Sequence, residues 1–201
     1  MEIIEKEYLD GNQHEMLSVL KGAVFHLTTQ ASYKSILKDG MIYNNKDGRF
    51  DIKKSLSQNS FGRLAGYVCL FDLRDKDDDA IEDILNKKYP FLGPPWFRQP
   101  KQPCDDYDEW NLAYLILSPK YYEKLIPYEK SIKYFNVSDV WQQVIPHAET
   151  WISDHIPLEW ISIVYLVRIR ERLPAYGNVT LIREIIEANR RTLTNSSKMI
   201  R

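Results

Sequence analysis

Short apolar runs along the chain predict the strands of a buried sheet. They cover residues 23–28, 67–73, 112–117, 124–128, 142–152 and 161–169. The run 67–73 is nearly continuous in apolar residues, which is typical of a central strand buried on both faces. The last two runs come close together, with residues 157–160 as a tight connection between them. The irregular alternation of these strands with helices predicts an α+β fold rather than a doubly wound parallel sheet.

Amphipathic and capped segments predict three helices. Residues 30–38 carry apolar side chains at helical spacing, and Gly40 is placed to end that helix in the left-handed conformation. Acidic residues precede a second helix over 80–88, where they offset the exposed amides of its first turn. The third helix covers 179–191, and the polar tail 192–201 is expected to be flexible.

Two segments lack periodicity and are predicted to be loops. Residues 44–66 are polar and punctuated by glycine, whereas residues 89–110 combine five prolines with several aromatic side chains. Aperiodic segments of this length are uncommon inside a compact domain. The aromatic content of the second segment indicates a functional cover rather than disorder.

Composition indicates one cytoplasmic domain without a membrane segment. The chain has 201 residues, 44% of them hydrophobic and 27% charged, and a formal net charge of -1. It has two cysteines, which suits a reducing compartment. No window approaches the roughly 20 apolar residues that cross a bilayer. The near-neutral charge gives no overall electrostatic reason to expect nucleic-acid binding.

Common catalytic and nucleotide-binding motifs are absent from the sequence. It contains no G-x-x-x-x-G-K-[ST], G-x-G-x-x-G, H-E-x-x-H or G-x-S-x-G pattern. No two of the four histidines have the spacing of metal ligands on one helix, so we expect no metal centre.

Two predicted strands carry polar side chains that could bind a ligand or take part in catalysis. Alternation places His26 and Thr28 on one face of the first run, where they could hydrogen-bond a ribose or an amide. The structural interpretation is a half-buried histidine held by a neighbouring carbonyl. On the later run His147, Glu149 and Trp151 share a face, and a partly desolvated carboxylate there could stabilise a developing positive charge. The alternative for Glu149 is a solvated outer face.

Both strands resemble segments of one superfamily. Residues 24–42 read VFHLTTQASYKSILKDGMI, and residues 148–161 read AETWISDHIPLEWI. In this order they are similar to the opening and the glutamate segment of ADP-ribosyltransferase-fold proteins, nearest to the DarT-type bacterial toxins that modify DNA. The resemblance implies a single domain with a split mixed or antiparallel β-sheet flanked by helices. It also implies that the glutamate strand continues into a hairpin.

The resemblance implies that NAD is the substrate and Glu149 the catalytic residue, supporting the oxocarbenium-like transition state as nicotinamide leaves. Glu149 must then face the same cleft as His26. The cofactor-binding side chains it implies are His26, Thr28, Arg63 and a stacking tyrosine, either Tyr43 or Tyr67.

On the acceptor side the resemblance implies His147, Trp151 and Trp141. The acceptor would be a nucleic acid or a protein, and the chain a toxin or defence effector with an antitoxin partner. Two alternatives stay open. One is an NAD glycohydrolase on the same fold, and the other is a non-catalytic module that binds a nucleotide, nucleic acid or protein through residues 89–110.

Overall fold

The computed structural model describes residues 1–9, 14–50, 62, 65–83, 107–127, 129 and 148–172, and the structural statements below concern these residues. The strands are β1 (Glu2–Leu9), β2 (Val24–Thr29), β3 (Met41–Ile42), β4 (Val68–Asp72), β5 (Tyr107–Leu117), β6 (Glu149–Ile152), β7 (Ile156–Pro157) and β8 (Ile161–Arg172). The helices are α1 (His14–Leu20), α2 (Gln30–Asp39) and α3 (Asp78–Asp83), with 3₁₀ turns at Pro119–Lys124 and Leu158–Trp160.

Six strands form one mixed sheet in the order β1-β8-β5-β2-β4-β6. The β1–β8 pair is parallel, and the other pairs in this sheet are antiparallel. A second sheet of two strands joins β3 to β7. The predicted α+β class is therefore confirmed at this coarse level.

Each face of the sheet has its own apolar core. The α1 face takes its name from Met16 and Leu20 of α1, which pack there with Phe25 of β2. The α2 face is named for Tyr33 of α2, which packs there with Val24. Successive residues of β2 thus enter opposite cores, as the alternation of the sequence predicts.

Helix α2 follows β2 directly and has a cap at each end. The Thr29 hydroxyl accepts a hydrogen bond from the Ser32 amide at 3.1 Å, which satisfies one of the unpaired amides of the first turn. Gly40 adopts φ 74°, and its amide donates to the Ile36 carbonyl at 2.9 Å. The predicted start of this helix and its glycine stop are both confirmed.

Replacing Gly40 with alanine is expected to lower the free energy of unfolding by about 1 kcal/mol. No neighbouring atom lies within 4 Å of the added methyl group, so the cost comes from the left-handed backbone alone. Urea denaturation measures it. Ser35→Ala, at an exposed position of the same helix, serves as the control and should cost nothing. Equal stability of Gly40→Ala and wild type would contradict the prediction.

The Tyr33 side chain is buried in the α2-face core, and its hydroxyl has no hydrogen-bond partner among the described residues. Burial raises the pKa of this phenol above its usual value. A buried hydroxyl without a partner loses its hydration and gains nothing in return.

We therefore expect Tyr33→Phe to raise the free energy of unfolding by about 1 kcal/mol. Thermal and urea unfolding would measure the change. Tyr8→Phe is the matched control, because the Tyr8 hydroxyl donates to Met16 Sδ at 3.8 Å and its removal should bring no gain. A clear loss of stability in Tyr33→Phe would show that this hydroxyl makes a favourable interaction in the folded protein.

The structure differs from the sequence predictions in several elements. Strand β1 was not predicted, because charged residues interrupt its apolar positions. Helix α1 was not predicted, because it has only 7 residues. The last two strands do not form a hairpin: β6 pairs with β4, whereas β8 pairs with β5 and β1. The residues between them form β7, which leaves the large sheet to pair with β3.

The strand predicted over 124–128 is also wrong for its described residues, 124–127. A 3₁₀ turn runs to Lys124, and Ile126 makes a single bridge to Trp151. Pro127 has no amide hydrogen to extend that ladder, which explains why pairing stops there. The predicted strand portion 142–147, the helix 179–191, the tail 192–201 and most of both predicted loops lie outside the described residues.

Within the described ranges, no helix is long and apolar enough to cross a membrane.

Candidate functional site

Three neighbouring strands bring the two sequence segments together. β4 lies between β2, which carries His26 and Thr28, and β6, which begins at Glu149. In register, Phe71 of β4 pairs with Phe25 on one side and with Glu149 on the other. Segments more than 100 residues apart in sequence are therefore separated by a single strand.

Glu149 is a buried carboxylate held by a tryptophan. The residue is 7% exposed, and the fully buried Trp151 donates from Nε1 to Glu149 Oε1 at 2.9 Å. The two residues are two positions apart on β6, so their contact confirms the predicted shared face. The alternative of a solvated outer face is excluded. An isolated buried carboxylate is costly, and a hydrogen bond from an indole N–H offsets part of that cost.

Trp151 does not have the exposure that an acceptor contact requires. It is 0% exposed, and its backbone pairs with Ile126 as well as with Cys69. In this structure the indole is hydrogen-bonded to Glu149 and is not available at the surface.

The sheet narrows to a short ladder between β2 and β4. Their described residues form two Cα pairs, Val24–Asp72 and Phe25–Phe71. At the next position His26 Nδ1 lies 2.9 Å from the Cys69 carbonyl oxygen. A carbonyl only accepts, so Nδ1 carries the hydrogen, and in a neutral imidazole Nε2 is then the acceptor. We call the stretch beyond Phe25–Phe71, between residues 26–29 and 68–70, the β2–β4 opening.

The contact of His26 with a carbonyl is what we expect if the histidine has only a structural role. The same contact would also orient the ring for ligand binding. His26 is partly exposed, as is Thr28 two residues further along β2. Their spacing places both on the α2 face, beside Val24.

Glu149 belongs to the opposite face. Paired residues of an antiparallel ladder point to the same side, so Glu149 lies on the α1 face with Phe71 and Phe25. The paired part of the sheet therefore does not bring Glu149 and His26 onto one surface. The described strands therefore do not form the common cleft expected for these two residues.

The two candidate stacking tyrosines occupy loops near the ends of β4 and β6. The Tyr43 ring meets His155 edge-on at 5.1 Å, and the Arg49 guanidinium lies 3.9 Å from its centre on the ring face. Tyr67 directly precedes β4, with Lys46 Nζ 5.5 Å from its ring centre. Each tyrosine thus has a cation close to its ring, a contact that contributes modestly to holding these side chains in place.

His155 is a polar residue of this region that the sequence reasoning missed. Its Nδ1 accepts from the Asn44 amide at 3.0 Å, and the Asn44 side chain donates to the Ser153 carbonyl at 2.7 Å. These bonds tie the loop that carries Tyr43 to the end of β6. No local sequence signal predicts them, because the two segments are about 110 residues apart.

Three proposed side chains, Arg63, Trp141 and His147, lie outside the described residues. In the part of the chain that the structure describes, no group of three or more histidine, cysteine, aspartate or glutamate side chains is placed to hold a metal ion.

Comparisons with protein-family models, with curated proteins and with solved structures find no match.

Proposed function

We propose that this chain is an NAD-dependent ADP-ribosyltransferase with Glu149 as its catalytic carboxylate. The observation that supports this most directly is the placement of a buried, indole-held Glu149 one strand away from the His26 strand. A carboxylate kept from water interacts strongly with a positive charge that develops beside it. The short β2–β4 ladder also suits the split sheet that the sequence resemblance implies.

The reaction breaks the bond between the anomeric carbon of the ribose and the nicotinamide nitrogen. The bonding electron pair leaves with nicotinamide, whose cationic ring becomes neutral, and positive charge develops on the ribose. An acceptor nucleophile then bonds to the anomeric carbon and gives up its proton. Glu149 accepts a hydrogen bond from a hydroxyl of that ribose and stabilises the developing charge.

NAD would enter at the β2–β4 opening. There His26 and Thr28 supply ring-nitrogen and hydroxyl groups from the α2 face, and Glu149 must reach the ribose across β4, from the α1 face. Tyr67, which directly precedes β4 and so lies beside the β2–β4 opening, is the tyrosine that we expect to stack on nicotinamide. The acceptor would be a nucleic acid or a protein, as expected of a toxin or defence effector that has an antitoxin.

Nicotinamide release tests this function. Purified protein is incubated with NAD alone, with single- and double-stranded nucleic acids, and with a protein lysate. NAD carrying a label in its adenylate part then identifies the acceptor. Release together with a labelled macromolecule would support the transferase, whereas release with free ADP-ribose as the sole labelled product would identify the glycohydrolase. Folded protein that releases no nicotinamide under any of these conditions would refute both.

A further inference from the structure

Gly62 packs against the indole that holds Glu149. A methyl group at Gly62 would overlap Cδ1 and Nε1 of Trp151 and would lie 2.7 Å from Cys69 Sγ. Atoms this close cannot both be accommodated, so the indole or the backbone would have to move. The nitrogen that the methyl group would displace is the one that donates to Glu149 Oε1.

Position 62 requires glycine because there is no room for a side chain, not because of its backbone conformation. Gly22, Gly40, Gly48 and Gly66 have positive φ angles, and Gly62 does not. Any residue could adopt its backbone, but a side chain has no room. The Gly62 carbonyl accepts from the Tyr67 amide at 2.7 Å, which fixes the glycine beside the start of β4.

We propose that Trp151 and Gly62 are positioning residues for Glu149, a role that rests on the proposed function of that carboxylate. The indole N–H fixes the position of Oε1, and Gly62 leaves room for the indole in the orientation that allows this. Trp151 is thereby assigned to the support of the catalytic carboxylate rather than to the acceptor. Because catalytic groups must be held within a fraction of an ångström, a small rotation of the indole should reduce the rate.

The test compares Gly62→Ala and Trp151→Phe with wild type in nicotinamide release. Phenylalanine keeps an aromatic ring but removes the donor. We expect kcat to fall about 10- to 100-fold in each variant, with the KM for NAD changed less than about threefold, since the carboxylate is misplaced and the binding groups are not. The Trp151 indole N–H resonance, identified by its loss in Trp151→Phe, should shift in Gly62→Ala and in Glu149→Gln.

A double-mutant cycle separates positioning from general damage. If both residues act through one hydrogen bond, Gly62→Ala should have little further effect on kcat in the Trp151→Phe background. Gly40→Ala is the matched glycine control, because it costs stability without touching the indole and should keep wild-type kcat.

The outcomes distinguish this role from the proposed function. Folded wild-type protein that releases no nicotinamide refutes the function, and the positioning role with it. Active wild-type protein whose Gly62→Ala and Trp151→Phe variants keep their kcat refutes the positioning role alone. Additive losses in the double variant would also overturn it.

Discussion

Replacing Glu149 with glutamine is expected to reduce nicotinamide release from NAD at least about 100-fold while the protein stays folded. Glutamine has nearly the same shape, and its carbonyl oxygen can still accept the Trp151 N–H. The negative charge that stabilises the developing cation is lost. Burying a neutral amide also costs less than burying a carboxylate, so we expect an unchanged or slightly higher free energy of unfolding. Release kinetics and urea denaturation, performed on the same preparation, measure both quantities.

Glu159→Gln is the matched control for this substitution. Glu159 is exposed and lies ten residues further along the chain, in the 3₁₀ turn before β8, so it should keep wild-type release. A Glu149→Gln variant that retains the wild-type rate would show that the buried carboxylate is structural. If the variant loses both its activity and its fold, the loss of activity is explained by lost stability instead.

Replacing Trp151 with alanine should lower the free energy of unfolding by about 3–5 kcal/mol. The indole is fully buried, so its removal leaves a cavity and also takes the hydrogen-bond donor from a buried carboxylate. For a domain stabilised by about 5–15 kcal/mol this is a large fraction of the total. The measurement is the urea midpoint together with the slope of the transition, which should stay the same if the unfolding remains two-state.

Trp160→Ala provides the comparison. Trp160 is partly buried and stacks on Tyr121, with ring centres 4.4 Å apart and planes 16° from parallel. Its loss removes this stacking contact and part of its packing against the α2-face core, but the site is partly open, so we expect a smaller cost of about 1–3 kcal/mol. Equal costs for the two tryptophans would contradict the view that Trp151 is the anchor of this part of the sheet.

Local sequence signals predicted those elements whose form depends on neighbouring residues. β2 alternates between the two cores, and α2 ends at a glycine whose φ is positive, because both features depend on the spacing and identity of adjacent residues. The shared face of Glu149 and Trp151 follows from the same two-residue period. β1 was missed because Glu5 and Lys6 interrupt its apolar residues, and it becomes a strand only through pairing with β8.

Features that depend on register could not be predicted. The resemblance implies a hairpin after the glutamate strand, yet β6 and β8 each find their partners elsewhere in the sheet. Likewise, the contact of His26 with the Cys69 carbonyl and the opposite faces of His26 and Glu149 follow from how β2, β4 and β6 align. A one-residue shift in either ladder would reverse that outcome, and sequence periodicity does not determine the shift.

The parallel pair of β1 and β8 has a consequence for the order of folding. It joins residues about 160 positions apart, as Glu2 opposite Ile163 illustrates. During synthesis β1 leaves the ribosome long before β8 is made, so β1 stays without its partner strand for most of that time. Contacts of such long range are costly in chain entropy and form slowly. Until β8 is made, the edges of β1 and β5 that it will cover stay unpaired, and this is the stage at which the nascent protein should be most exposed to aggregation.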